Sequence, residues 1–172
     1  MNSKKNKIIV LFIAAGLLFL HTGCGFYSHT GASVPVDAKT FTVNYIPNYA
    51  SIVNPTLSQV FTEKLKRKFI NETQLKLAQE DGDLLFKGKI TDYKNTPVGV
   101  LGNQVNEVNR LTIVVEIEFE NKKDEKKNFK QTFTNFVDYP ASKNFSSIET
   151  DLVTQVTDMM TTDIFNKAFI NW

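Results

Sequence analysis

The stretch RLTIVVEIEFE, Arg110–Glu120, fixes the kind of sheet this chain builds. Leu111, Ile113, Val115, Ile117 and Phe119 alternate with Thr112, Val114, Glu116, Glu118 and Glu120. A period of two places an apolar row on one face of a β-strand and a largely acidic row on the other. A strand greasy on one side belongs to a sheet with one covered and one uncovered face. The charged turn NKKDEKK, Asn121–Lys127, then leads to NFKQTFTNFVDY, Asn128–Tyr139, which reads as the hairpin partner. Lys126, Lys127 and Lys130 near its start are suited to face the glutamates across the strands.

Upstream, the connection TPVGVLGNQVNEVN, Thr96–Asn109, is neither helical nor extended in pattern. Before it, DLLFKGKITDYKN, Asp83–Asn95, reads as a strand with Phe86, Gly88 and Ile90 on one face and Leu85, Lys87 and Lys89 on the other. KTFTVNYI, Lys39–Ile46, sets Phe41, Val43 and Tyr45 against Thr40, Thr42 and Asn44, and TQLKLA, Thr73–Ala78, is expected to be a short edge strand.

Two segments carry the helical period. In NPTLSQVFTEKLKRKFI, Asn54–Ile70, Asn54 is a suitable N-cap and Pro55 fits the first helical position. Leu57, Val60, Phe61, Leu65 and Phe69 form its apolar stripe, and Lys64, Lys66, Arg67 and Lys68 are expected to crowd its final turns. In the last segment Ser146 and Glu149 fit a capping box, followed by Ile148, Leu152, Val156, Met159, Met160 and Ile164, with the helix ending near Ala168 or Phe169. Methionines on such a stripe fill core. Strand, helix, strands, hairpin and helix together predict an α+β two-layer sandwich with both amphipathic helices on one face of the sheet.

The start of the chain is a separate matter. MNSKKNK carries Lys4, Lys5 and Lys7 and no acid, and IIVLFIAAGLLFL, Ile8–Leu20, is wholly apolar. That run spans about 20 Å as a helix, short of a bilayer core of about 30 Å, as in a secretory signal rather than a retained anchor. Thr22, Gly23 and Cys24 follow, and Cys24 is the lone cysteine, unable to form an internal disulfide. The ending resembles the lipobox of bacterial lipoproteins, although His21 stands where that pattern prefers Leu. The resemblance implies cleavage before Cys24, a diacylglycerol on its thiol and an acyl chain on its freed amine; two or more chains hold a protein stably on a membrane. The same resemblance implies the outer membrane, since Gly25 rather than Asp follows the cysteine. The expected organisation is thus 1–23 signal peptide, 24–38 lipidated N-terminus and leash, and 39–172 a single domain.

Charge and motifs narrow the function. The chain is formally +2, with twenty basic and eighteen acidic residues. Loss of 1–23 removes three lysines and no acid, leaving seventeen basic residues and a net charge of −1, so no nucleic-acid footprint is expected. His29 is then the single histidine, which argues against a triad or a histidine metal site. GNQVNE, Gly102–Glu107, lacks the Lys and Ser/Thr of a phosphate loop. EDGD, Glu80–Asp83, lacks the ligand alternation of a calcium loop. No catalytic residue, metal or cofactor is therefore expected. Lys64, Lys66, Arg67 and Lys68 read either as a phosphate contact or as a solvated helix end. Lys87 and Lys89 beside Leu85 suit an amphipathic anion such as a glycolipid, or are lysines that discourage edge aggregation.

The run from CGFYSHTGASVP through NPTLSQ to DLLFKGKITDY, Cys24–Tyr93, resembles the lipopolysaccharide-assembly lipoprotein family LptE in its Bacteroidota form, with the later hairpin and helix agreeing in pattern. The resemblance implies a mixed sheet of about four strands with two helices on one side. It also implies a non-catalytic role plugging the LptD outer-membrane β-barrel, supporting its assembly and assisting delivery of lipopolysaccharide to the outer leaflet. Lys87, Lys89, Lys94 and Arg110 are the candidate contacts to lipopolysaccharide, chosen by strand and loop placement rather than by motif. The alternative is a lipid-anchored periplasmic regulator of an envelope enzyme or export machine, which shares the same coarse architecture.

Overall fold

The structure is a computed structural model that describes residues 35, 37–52, 54–98 and 107–170. The signal, Cys24, nearly all of the leash and the middle of the long connection lie outside the described residues. The elements are β1 (Thr40–Val43), α1 (Leu57–Glu72), β2 (Lys76–Leu77), β3 (Leu84–Val98), β4 (Val108–Asn121), a 3-10 turn (Glu125–Lys127), β5 (Phe129–Pro140) and α2 (Phe145–Phe169). They form a two-layer α+β sandwich on a mixed sheet ordered β2-β1-β3-β4-β5. β1 runs parallel to β2 and β3, and the two later pairings are antiparallel. The sheet has five strands rather than about four, because the two-residue β2 joins it as the short edge strand expected from TQLKLA.

The decisive stretch behaves as its alternation requires. Leu111, Ile113, Val115, Ile117 and Phe119 are all buried, and every residue between them is half-buried on the opposite face. α2 packs beneath β4 and β5, α1 beneath β1 and β2, and the helices touch each other. Phe69 of α1 is the hub of the layer, with its ring centroid 4.4 Å from Phe86, 5.5 Å from Phe41 and 5.5 Å from Phe169. Leu57, Phe61, Leu65 and Phe69 are each at most 1% exposed; burying such a side chain contributes about 1.5–3 kcal/mol.

Several local expectations are corrected. β1 stops at Val43, so the alternation fails beyond it: Ile46 is fully buried and Tyr45 is 63% exposed. The chain then follows β3 irregularly, Asn44 N–H donating to Phe86 O and Tyr49 N–H to Ile90 O. α1 begins at Leu57, two residues later than Pro55, yet Asn54 still caps the turn into it: its Oδ1 accepts from Thr56 N and Leu57 N, each at 3.1 Å. α1 also continues to Glu72, so the four basic residues sit in its body and its last turn holds none of them. Lys64, Lys66 and Lys68 pair with Asp158, Glu63 and Glu72. α2 is capped by Asn144, whose side chain accepts from Ser146 N, instead of by a Ser146–Glu149 box. Met160 is buried as expected, whereas Met159 is 39% exposed.

EDGD is a structural joint. Gly82 lies so close to β1 that a Cβ there would come within 2.7 Å of Phe41 C, and its N–H donates to Thr42 Oγ1. Asp83 Oδ2 accepts from Lys39 N, Thr40 N and Thr40 Oγ1 at 2.9–3.0 Å. These donors, the Lys39 N–H first, and the Lys123 ammonium hold its carboxyl well below the usual carboxylate range.

Candidate functional site

β3, β4 and β5 turn alternate residues away from the helices, and their register decides which of those residues meet. Lys87 lies opposite Glu118, Lys89 opposite Glu116 and Lys94 opposite Thr112; Glu118 in turn faces Lys130, and Arg110 faces Asp138. A register shift between Ile90 and Asp92 inserts Thr91 as a bulge. It turns Tyr93 into the core and leaves Asp92 and Lys94 on the uncovered face. Without that extra residue Lys94 would point among the helices.

All four sequence-predicted cations therefore share this face, and each is paired. Lys87 Nζ donates to Glu120 Oε1 at 2.6 Å, Lys89 lies 3.4 Å from Glu116, and Lys94 lies 2.5 Å from Asp92. Arg110 grips Asp138 with two bonds, Nε to Oδ1 at 2.6 Å and Nη2 to Oδ2 at 2.9 Å. Its guanidinium also stacks 3.7 Å above the half-exposed Phe136 ring. Lys130 reaches the same Glu116 at 3.2 Å, taking the role foreseen for it, while Lys126 and Lys127 belong to the 3-10 turn. Hydrogen bonds from Lys87, Lys130 and Arg110 hold Glu120, Glu116 and Asp138 below their ordinary range. The same bonds raise Lys87 and Arg110 above theirs. Lys87, Lys89, Lys94, Arg110 and Lys130 face Asp92, Glu116, Glu118, Glu120 and Asp138. The face is a lattice of neutralised pairs rather than a bare cationic patch.

Sequence reasoning did not find Asp138, Phe136 or a polar joint on the covered side of the sheet. Asp138 and Phe136 come beside Arg110 only through the β4–β5 register, and the pattern of either strand alone is silent about that. At the joint, Glu149 Oε1 accepts from Asn54 Nδ2 at 2.7 Å and from Tyr93 Oη at 2.6 Å, tying the start of α1 to β3 and α2. Burial, and then the Glu149 carboxylate, push the Tyr93 hydroxyl well above the ordinary tyrosine range, so it stays a donor. Among the described residues no group of three acidic, histidine or cysteine side chains is placed to hold a metal. None of the described helices is long and apolar enough to cross a membrane.

Comparison with solved structures finds similar chains at low sequence identity, two of them with a TM-score above 0.5. A Xanthomonas campestris protein matches with TM-score 0.53 and 14% identity over 78% of this chain and 87% of its own. A Helicobacter pylori homolog of neuraminyllactose-binding hemagglutinin matches with TM-score 0.51 and 8% identity over 79% and 86%. A minor lipoprotein of Acinetobacter baumannii gives TM-score 0.48 and 16% identity over 76% and 91%. Comparison with curated proteins finds no match. The sequence itself matches a family model, LptE, described as lipopolysaccharide-assembly, over residues 38–168, which takes in every described strand and all but the last residue of α2. The chain belongs to the LptE family.

Proposed function

We propose that this chain is a lipoprotein of the outer membrane that acts without catalysis. It is cut before Cys24 and acylated on the thiol and amine of that residue. Its domain plugs the lumen of an LptD-type β-barrel, supports the assembly of that barrel and assists transport of lipopolysaccharide to the outer leaflet. The observation that carries the reading is the sheet face turned away from α1 and α2: polar and charge-balanced among the described residues, it suits the watery interior of a large barrel. The apolar side of the sheet is already used up against α1 and α2.

Lipopolysaccharide phosphates would bind by exchange. Lys87, Lys89, Lys94 and Arg110 are each within reach of a carboxylate, and a phosphate of higher charge takes over such a cation without baring it. Leu85 and Phe136 on the same face supply contact for acyl carbon.

Mild solubilisation of membranes followed by purification through this chain tests the proposal. Recovery of a large β-barrel in equal amount supports the plug. Recovery of a soluble periplasmic protein instead supports the regulator. Reversing charge at Lys87 and Lys89 is expected to weaken lipopolysaccharide binding, and unchanged affinity removes those two residues from the site.

A further inference from the structure

The two ends of the sheet are finished differently. At one end β2 is two residues long, too short to template another strand. At the other, β5 runs for twelve residues, and among the described residues no strand lies beyond it. Natural edges of that length are guarded by charges, proline or a bulge. From Gln131 to Val137 β5 has no charge, no proline and no glycine, and its pairing with β4 is regular throughout. Thr132, Thr134 and Phe136 are exposed along it.

The sequence of β5 is complementary to itself. Laid antiparallel against a second β5 with Thr134 opposite Thr134, it places Lys130 opposite Asp138 twice, Thr132 opposite Phe136 and Phe129 opposite Tyr139. Residues of equal parity meet, so the uncovered faces of both sheets stay on one side. The charges then extend a row already present. Lys87 faces Glu118 and Glu118 faces Lys130 within one chain, and Asp138 faces Arg110 within the other. Joined through Lys130 and Asp138, that row alternates in sign across five strands, the arrangement that favours cross-strand pairing.

We propose that the outer edge of β5 is an interface for a second copy of this chain, the two β5 strands pairing antiparallel about a twofold axis at Thr134 so that Lys130 of each copy faces Asp138 of the other. Such a contact is isologous and closes, giving a dimer with one continuous sheet instead of an open fibre. It does not rest on the barrel role proposed above: a copy seated in a lumen has no room for a second along β5, so the pairing is one of copies outside a barrel, and its failure leaves that role standing.

A photoreactive residue introduced in place of Thr134, in cells carrying the full chain, tests the interface. The expected product is an adduct of twice the chain's mass. Lys130→Asp puts like charges at both contacts, as does Asp138→Lys, so each change alone is expected to reduce that adduct about tenfold or more. Expressed together, the two variants form two correct Lys–Asp contacts between unlike copies, and the adduct is expected to return. Circular dichroism of each variant checks that its fold is kept, and the mixture reports pairing even if each is less stable. An adduct only with a barrel or another protein, or only within the chain's own first 34 residues, overturns the proposal. So does the absence of any adduct, or a doubled adduct indifferent to the charge changes.

Discussion

The covered and uncovered faces of the sheet hang on the same three long strands, in alternate residues, and are held by different physics. On the covered face Phe41, Phe69, Phe86, Phe119 and Phe169 are fully buried and in ring contact, and each ring removed leaves a void that neighbours fill only in part. On the uncovered face the ion pairs are short, but their side chains remain substantially exposed, such as 42% for Lys87 and 35% for Glu120. Exposed pairs add little to stability, because water and counter-ions compete for both partners. The fold is therefore secured from one side of the sheet, which leaves the other side free to exchange partners.

The sharpest way to break that contrast is to cut into the hub. Phe69→Ala is expected to destabilise the domain by about 3–5 kcal/mol, the range for a buried phenylalanine. Urea unfolding followed by circular dichroism measures it. A loss below about 1 kcal/mol would mean that the aromatic layer is not what holds the helices to the sheet.

Next comes the joint at which β1 meets β3. Asp83→Asn weakens three hydrogen bonds to a carboxylate, and about 1–3 kcal/mol is expected at neutral pH. The sign of the pH dependence follows from the depressed carboxyl of the folded state. Between the folded value and an unfolded value near 3.9, the unfolded chain holds the extra proton. The stabilisation is thus present above about pH 4 and is lost as the pH falls toward the folded value. Unfolding midpoints of the parent and variant chains should converge on acidification, and curves that stay parallel would show that another group carries the effect.

Tyr93→Phe removes one of the two donors to Glu149 while keeping the ring in place, and about 0.5–1.5 kcal/mol is expected. The same denaturation series reads it. Amide exchange at the start of α2 should also quicken if this joint pins the helix to β3.

How much of this contrast could be read beforehand depends on whether it lies within one strand or between strands. Period-two alternation in Arg110–Glu120 was enough to separate the two faces, because burial of one row is a property of the strand itself. The stripe from Leu57 to Phe69 was legible for the same reason. The end of β1 at Val43 was not, since Tyr45 continues the pattern and only the path of the chain beside β3 turns it outward. Glu149 looked like a capping residue from its spacing to Ser146; a tyrosine 56 positions away claims it instead. Placing Lys87, Lys89, Lys94 and Arg110 on one face needed both the strand pattern and the Thr91 bulge. Their carboxylate partners follow from hairpin register, which no single segment encodes.

The smallest expected effect falls on the uncovered face. Lys87→Gln with Lys89→Gln should leave the unfolding midpoint within experimental scatter of the parent, and added salt should move both chains alike. Glu116 keeps Lys130 at 3.2 Å when Lys89 is gone, and Glu120, already at the rim of the sheet, turns to water when Lys87 is gone. If the same double variant loses affinity for lipopolysaccharide while its stability holds, the lysines serve a ligand rather than the fold. If instead the midpoint drops as far as it does for Phe69→Ala, the pairs are structural, and a face whose cations cannot leave their carboxylates has no means of taking up phosphate.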